Sequence, residues 1–211
     1  MKTVVVTGAS KGLGRVIAVA FLAAGWKVIG TGRSVRPQDL DDQIEYQSFD
    51  ASDAEAAAKC WQTVTGDQVC LVNNAASYAK GGLLETAPEE YEGQMRSGYL
   101  TAVQMTRALV AHFPTASIIN VISNSALEAH AKNGAYGAAK AATMHFFQSL
   151  QKEFEPEKYR ITNLYPSDIA SHGPNADAID PVDLAEFIIQ LAESQTSYHL
   201  SDVTLYPIKR K

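Results

Sequence analysis

Lys2-Thr3-Val4-Val5-Val6-Thr7-Gly8-Ala9-Ser10-Lys11-Gly12-Leu13-Gly14 carries a short apolar run directly into three glycines. The run is far too short for a signal segment or a membrane span, and it reads as a buried strand. The glycines let the chain turn sharply and bring bare backbone close to a ligand. The helical pattern that follows places free N–H groups and the positive end of a helix dipole at that turn. A glycine-rich loop alone says little, because turns are rich in glycine. Between a strand and a helix it predicts a cradle for a pyrophosphate.

Outward from this turn, short β-rich apolar runs alternate with helical patterns. The runs place strands at Thr3–Thr7, Lys27–Thr31, Ile44–Phe49, Val69–Asn73, Ser117–Ile122, Arg160–Tyr165 and Val203–Pro207. Helices fit at Leu13–Ala24, Ala54–Thr65, Tyr91–His112, Ala135–Glu155 and Pro181–Glu193. Strands that are apolar throughout are those covered on both faces. The pattern predicts an α/β fold, a doubly wound parallel sheet of about seven strands with helices on both faces. With 211 residues, a single domain spanning 1–211 is expected.

The chain is 46% hydrophobic and 19% charged, with a net charge of −5. That balance fits a compact soluble protein and argues against a nucleic-acid partner, which needs a positive field. No stretch suits a membrane, and a cytoplasmic location is the expectation. Cys60 and Cys70 match no metal or redox spacing, so reduced thiols and no metal site are expected.

The spacing Gly8-x-x-x-Gly12-x-Gly14 resembles the short-chain dehydrogenase/reductase family, a Rossmann-type fold. The resemblance implies a nicotinamide dinucleotide held by Gly8, Ser10, Gly12, Leu13 and Gly14. Charge near the adenosine ribose selects between NAD and NADP. The second strand ends Gly30-Thr31-Gly32-Arg33-Ser34, with no carboxylate to hydrogen-bond a free 2′-hydroxyl. Arg33 offers a planar fork of donors to a phosphate, and Lys11 adds a cation from the loop. NADP(H) is therefore the expected cofactor, with Arg36 as a third phosphate partner or merely an exposed charge. Asp50 resembles the family's aspartate beside the adenine, and it could equally cap the next helix. Asn73-Asn74-Ala75-Ala76 resembles the family's Asn-Asn-Ala-Gly. Asn74 would tie neighbouring strands, while Ala75 and Ala76 leave room for a ribose.

Tyr136-Gly137-Ala138-Ala139-Lys140 sets a phenol and an ammonium on one helix face. A nearby cation favours the phenolate and would lower a pKa ordinarily near 10. Alone this pair is common. Preceded by Ser123 at the end of the fifth strand, it resembles the family's active site. The implied roles are Ser123 as donor to the substrate oxygen and Tyr136 as general acid or base. Lys140 lowers the Tyr136 pKa and holds the nicotinamide ribose. Ser125 is an alternative hydroxyl, and His130 and His145 read as surface residues.

In Ser97-Gly98-Tyr99-Leu100-Thr101-Ala102, Gly98 stands where the family carries an asparagine associated with a helix kink and a water leading to the lysine. Tyr165-Pro166-Ser167-Asp168-Ile169-Ala170-Ser171 resembles the family's segment over the nicotinamide carboxamide. Pro166, Ile169 through its N–H and Ser171 through its hydroxyl are the implied contacts. A short substrate loop is expected near 171–180. Met105, Leu109, Met144, Phe146, Phe147 and Leu150 suggest surplus apolar surface for a partner, or a helix deeply buried in its own domain. Similar helices form the dimer interface in the family, and the resemblance implies a homodimer or homotetramer. The expected activity is hydride transfer between NADP(H) and a small carbonyl or alcohol substrate. The alternative is an NADP(H)-binding regulatory or scaffold protein.

Overall fold

In the computed structural model, which describes residues 1–170, 175 and 177–208, seven strands form one sheet ordered β3-β2-β1-β4-β5-β6-β7. They are β1 (Lys2–Thr7), β2 (Lys27–Gly32), β3 (Glu45–Ser48), β4 (Gln68–Asn73), β5 (Ala116–Val121), β6 (Tyr159–Pro166) and β7 (Asp202–Leu205). Every pairing is parallel.

Side chains alternate across the sheet with a period of two, so each central strand feeds two cores. Val4 and Val6 of β1 pack with Ile17 and Phe21 of α1 (Gly12–Ala23) and with Leu184 and Ile188 of α6 (Pro181–Glu193). Val5, between them, packs on the opposite face with Trp61 of α2 (Ala54–Gln62), Met105 and Leu109 of α4 (Thr101–His112), and Phe147 of α5 (Gly134–Glu153). Each face is thus covered by helices, which is why strands such as Val4-Val5-Val6 are apolar at every position.

The helix expected over Tyr91–His112 is interrupted. It begins as α3 (Pro88–Gln94), passes through one π-helical turn at Met95–Leu100, and resumes as α4. Buried Gly98 lies in that turn, and a glycine in a helix weakens the regular backbone where it sits. The apolar residues expected to face a partner also need correction. Met105, Leu109 and Phe147 are fully buried in the chain's own core. Phe146 and Leu150 pack against that core and are partly buried.

A row of amides crosses four strands. Asn73, Asn120, Asn163 and Asp202 are aligned in register on β4, β5, β6 and β7. Asn73 Nδ2 donates to Asn120 Oδ1 at 2.9 Å, Asn120 Nδ2 to Asn163 Oδ1 at 2.8 Å, and Asn163 Nδ2 to Asp202 Oδ1 at 3.2 Å. The Tyr165 hydroxyl donates to the same carboxylate oxygen. Every amide in the row therefore points its N–H groups toward a charge at the sheet edge. Buried polar groups require such partners, and the row sets register where apolar side chains alone would slip.

Candidate active site

The strand order reverses between β1 and β4, and there the sheet leaves a crevice beyond its carboxyl ends. α1 begins with Lys11 as N-cap, without a capping side chain or an acidic residue in its first turn. Its leading N–H groups are free for an anion. Gly12 has a φ of 56°, and an added Cβ would meet nothing within 4 Å, so bare backbone borders the crevice. Gly14 is required for the opposite reason. An added Cβ would lie 2.3 Å from the Gly8 carbonyl oxygen and 2.4 Å from Asn74 Nδ2.

Thr7 locks the two sides of the crevice together. Its hydroxyl accepts from the N–H groups of Asn74 and Ala75, both at 3.0 Å. Asn74 Nδ2 in turn donates to the Thr7 carbonyl at 3.0 Å.

The resulting cleft is about 720 Å³ and is lined by Gly8, Ser10, Lys11, Gly12, Leu13, Gly14, Arg33, Asp50, Asn74, Ala75, Ala76 and Ile169. All of these were expected from sequence, drawn from the ends of separate strands. Thr31, Gly32, Ser34, Phe49, Ala51, Arg96, Ser97 and Thr101 also line it and were not foreseen. The first five flank strand-end residues already singled out. Arg96, Ser97 and Thr101 come from the π-helical turn or directly after it, whose only sequence signal is Gly98. Tyr136, Lys140, Ser123 and Pro166 stand outside this lining, and Ser171 lies outside the described residues. Pro166 is buried and paired in register with Leu205.

Asp50 does not cap α2; Asp53 does, accepting from the Ala56 N–H at 2.8 Å. Burial works to raise the Asp50 carboxyl. Donation from the Ser52 hydroxyl and N–H, with the charges of Arg96 and Arg33, holds it below its ordinary value. Arg36 is a correction. Its guanidinium donates to the carbonyls of Ile44, Leu40 and Asp41 at 2.7, 3.0 and 2.7 Å, so it staples its own loop instead of facing a phosphate.

At the same carboxyl edge, Ser123 follows β5 and Tyr136 and Lys140 lie in the first turns of α5. Lys140 is only 5% exposed. Its Nζ donates to the Val121 carbonyl at 3.1 Å and sits 5.5 Å from the Tyr136 ring centroid. Burial pulls its pKa down to about 8. The expectation for Tyr136 is reversed here. Burial raises its pKa, proximity to the Ser123 hydroxyl works against that, and Tyr78 adds to it. Desolvation penalises the phenolate more than its surroundings stabilise it. The Ser123 oxygen, for its part, accepts from the Ser125 N–H at 3.1 Å, and its hydroxyl reaches Asn124 Oδ1 at 3.4 Å. Ser125, the alternative hydroxyl, accepts from Asn133 Nδ2 at 3.2 Å.

The bridge between Ile169 and Ile179 uses the Ala170 N–H and the Asp168 carbonyl, leaving the Ile169 N–H unused among the described residues. A cleft with an uncapped helix start, a glycine backbone face and cations at Lys11 and Arg33 fits a phosphorylated dinucleotide in size and charge. Among the described residues, no cluster of His, Cys, Asp or Glu could hold a metal ion, and no helix is long and apolar enough to cross a membrane.

A family model described as short chain dehydrogenase matches residues 2–177. An uncharacterized oxidoreductase of Staphylococcus aureus is 24% identical over 98% of this chain and 97% of its own length. A dehydrogenase/reductase SDR family member 7B of Xenopus tropicalis is 31% identical over 80% of this chain and 61% of its own. Among solved structures, a metagenomic short-chain oxidoreductase in complex with NADP is 25% identical, with a TM-score of 0.82 over 98% of this chain and 97% of that one.

Proposed function

The chain belongs to the short-chain dehydrogenase family, and from that membership we propose that it transfers a hydride between NADP(H) and a carbonyl or alcohol substrate. The carrying observation is a buried ammonium, Lys140, set beside a half-buried phenol, Tyr136, at the sheet edge that also holds the glycine-lined cleft.

When bound, NADPH supplies the hydride. The backbone from Gly8 to Gly14 and the start of α1 would hold the pyrophosphate. Lys11 and Arg33 would meet the 2′-phosphate, which no carboxylate at the end of β2 repels. Asp50 would lie at the adenine, Asn74, Ala75 and Ala76 at the neighbouring ribose, and Lys140 at the nicotinamide ribose. The Ile169 N–H, unused among the described residues, would hold the carboxamide together with Ser171, with Pro166, buried at the end of β6, shaping the segment. The NADP bound to the metagenomic relative supports this choice of cofactor.

Ser123 donates a hydrogen bond to the substrate oxygen while Tyr136 delivers its proton there. A phenol whose pKa is raised by burial holds the proton that carbonyl reduction uses. In alcohol oxidation the same oxygen, as phenolate, would take that proton from the substrate hydroxyl. A homodimer or homotetramer and a cytoplasmic location belong to the same proposal.

The test is NADPH consumption across a panel of carbonyl compounds. Wild type should turn over at least one, and Tyr136→Phe should lose about a thousandfold in rate while still binding NADPH. NADPH binding without turnover on any compound would favour the regulatory reading, which the glycine at position 98 makes specific.

A further inference from the structure

The loop after β4 places Tyr78 against the proposed acid. The two rings meet edge to face, with centroids 5.0 Å apart and planes at 84°. Tyr78 nevertheless remains 64% exposed, so much of its ring surface is open to a third group. Further along the same loop Leu83 and Leu84 are 81% and 97% exposed, and Leu127, after β5, is also exposed. A large aromatic side chain left in water against a reacting group, on a loop that also exposes leucines, is the feature that marks a ligand surface.

The polar groups of these loops are engaged with one another. Ser77 and Ser97 share a hydrogen bond at 2.7 Å, and Asn133 Nδ2 donates to Ser125 Oγ. The Gly81 N–H donates to the Lys132 carbonyl at 2.9 Å, tying the loop after β4 to the loop after β5. Lys132 and Glu85 pair at 3.4 Å across that junction. Lys80, Glu128 and His130 are the remaining charged or titratable side chains of these two loops, and all three are exposed. Beside the Lys140 ammonium and the Ser123 hydroxyl, what faces the phenol from the loop after β4 is an aromatic ring.

We infer that Tyr78 is the specificity-determining residue of this site and that the site selects carbonyl compounds bearing a flat apolar group, an aryl ketone or aryl aldehyde, packed on the Tyr78 ring beside Tyr136. This rests on the carbonyl-reductase reading above. A planar substituent placed there completes a three-ring cluster and shields the phenol from water. A flexible alkyl chain would lose more rotational freedom and meet no matching face.

The experiment compares kcat/KM with NADPH for an aryl ketone and a straight-chain ketone of equal carbon number, in wild type, Tyr78→Phe and Tyr78→Ala. Wild type should favour the aryl ketone about tenfold, Tyr78→Phe should keep that preference, and Tyr78→Ala should bring the two within about twofold. Equal treatment of the two ketones by wild type, or an unchanged preference in Tyr78→Ala, overturns the inference. If neither ketone is reduced, the same comparison is read from binding of an aryl and an alkyl carboxamide to the NADPH-loaded protein. An aryl preference there that Tyr78→Ala abolishes sustains the inference while the reductase reading fails, and equal binding overturns it.

Discussion

Around β1 and β2 the crevice is walled by backbone: glycines at 8, 12 and 14, an uncapped helix start, and two cations reaching in from loops. From β4 to β7 the sheet carries buried polar side chains: the amides of Asn73, Asn120 and Asn163, ending on the exposed Asp202 carboxylate, and Lys140 with its ammonium on the Val121 carbonyl. The first region suits a ligand that brings its own charge, since N–H groups and cations need only be left free. The second must keep polar groups dry and ordered, so donor is matched to acceptor along the row, and Asn73 Oδ1 at its far end is left without a partner among the described residues. An anion cradle therefore tolerates variation at its positions outside the glycines, whereas a buried polar row does not.

The sharpest way to break that contrast is Asn120→Leu. It strands one N–H of Asn73 and the carbonyl oxygen of Asn163 inside the sheet, because Asn120 lies fully buried between them. Two orphaned groups should cost about 4 kcal/mol, read as a lower urea midpoint, with NADPH affinity per folded molecule retained. A loss below about 1 kcal/mol would mean that the row is ornamental.

Lys140→Met sharpens the comparison through pH. The folded chain releases the Lys140 proton near pH 8, while in the unfolded chain it stays until about 10.5. Between those values the unfolded state binds more protons, so this residue makes wild-type stability rise with pH. Below pH 8 its buried charge costs about 3 kcal/mol. Tyr136, held above its ordinary value of 10, acts the opposite way only beyond that pH. Cys60 and Cys70, whose thiols burial holds above their ordinary value, lower stability alike in both proteins as pH passes 9. From pH 7.5 to 9.5 the urea midpoint of wild type should therefore climb relative to that of Lys140→Met.

The smallest expected effect lies in the cradle. Arg33→Ala should weaken NADPH about thirtyfold by fluorescence titration while leaving NADH nearly unchanged, because one charge-assisted contact is removed. Arg36→Ala, whose guanidinium is engaged with its own loop carbonyls, should leave the ratio of the two affinities as it was.

Glycine spacing was readable because no other residue can take its place: Gly14 would drive a Cβ into the Gly8 carbonyl. The alternation of strand and helix was readable because two-sided burial leaves no polar position on Val4-Val5-Val6. Arg36 was ambiguous for the converse reason. A guanidinium has the same donors for a phosphate as for three carbonyls, and only the course of residues 33–44 decides which it meets.

Sequence by itself determined the doubly wound sheet and the glycine turn at Gly8–Gly14, since each follows from local periodicity or from a residue type without substitutes, while the order Ser123, Tyr136, Lys140 was legible through its resemblance to the family. Tertiary structure alone decided the alignment of Asn73, Asn120, Asn163 and Asp202, the entry of Arg96 from a π-helical turn into the cleft, the upward shift of Tyr136, and the ring of Tyr78 upon it. These depend on register, desolvation and the meeting of distant loops. Such quantities belong to pairs of segments and have no local signature in either one.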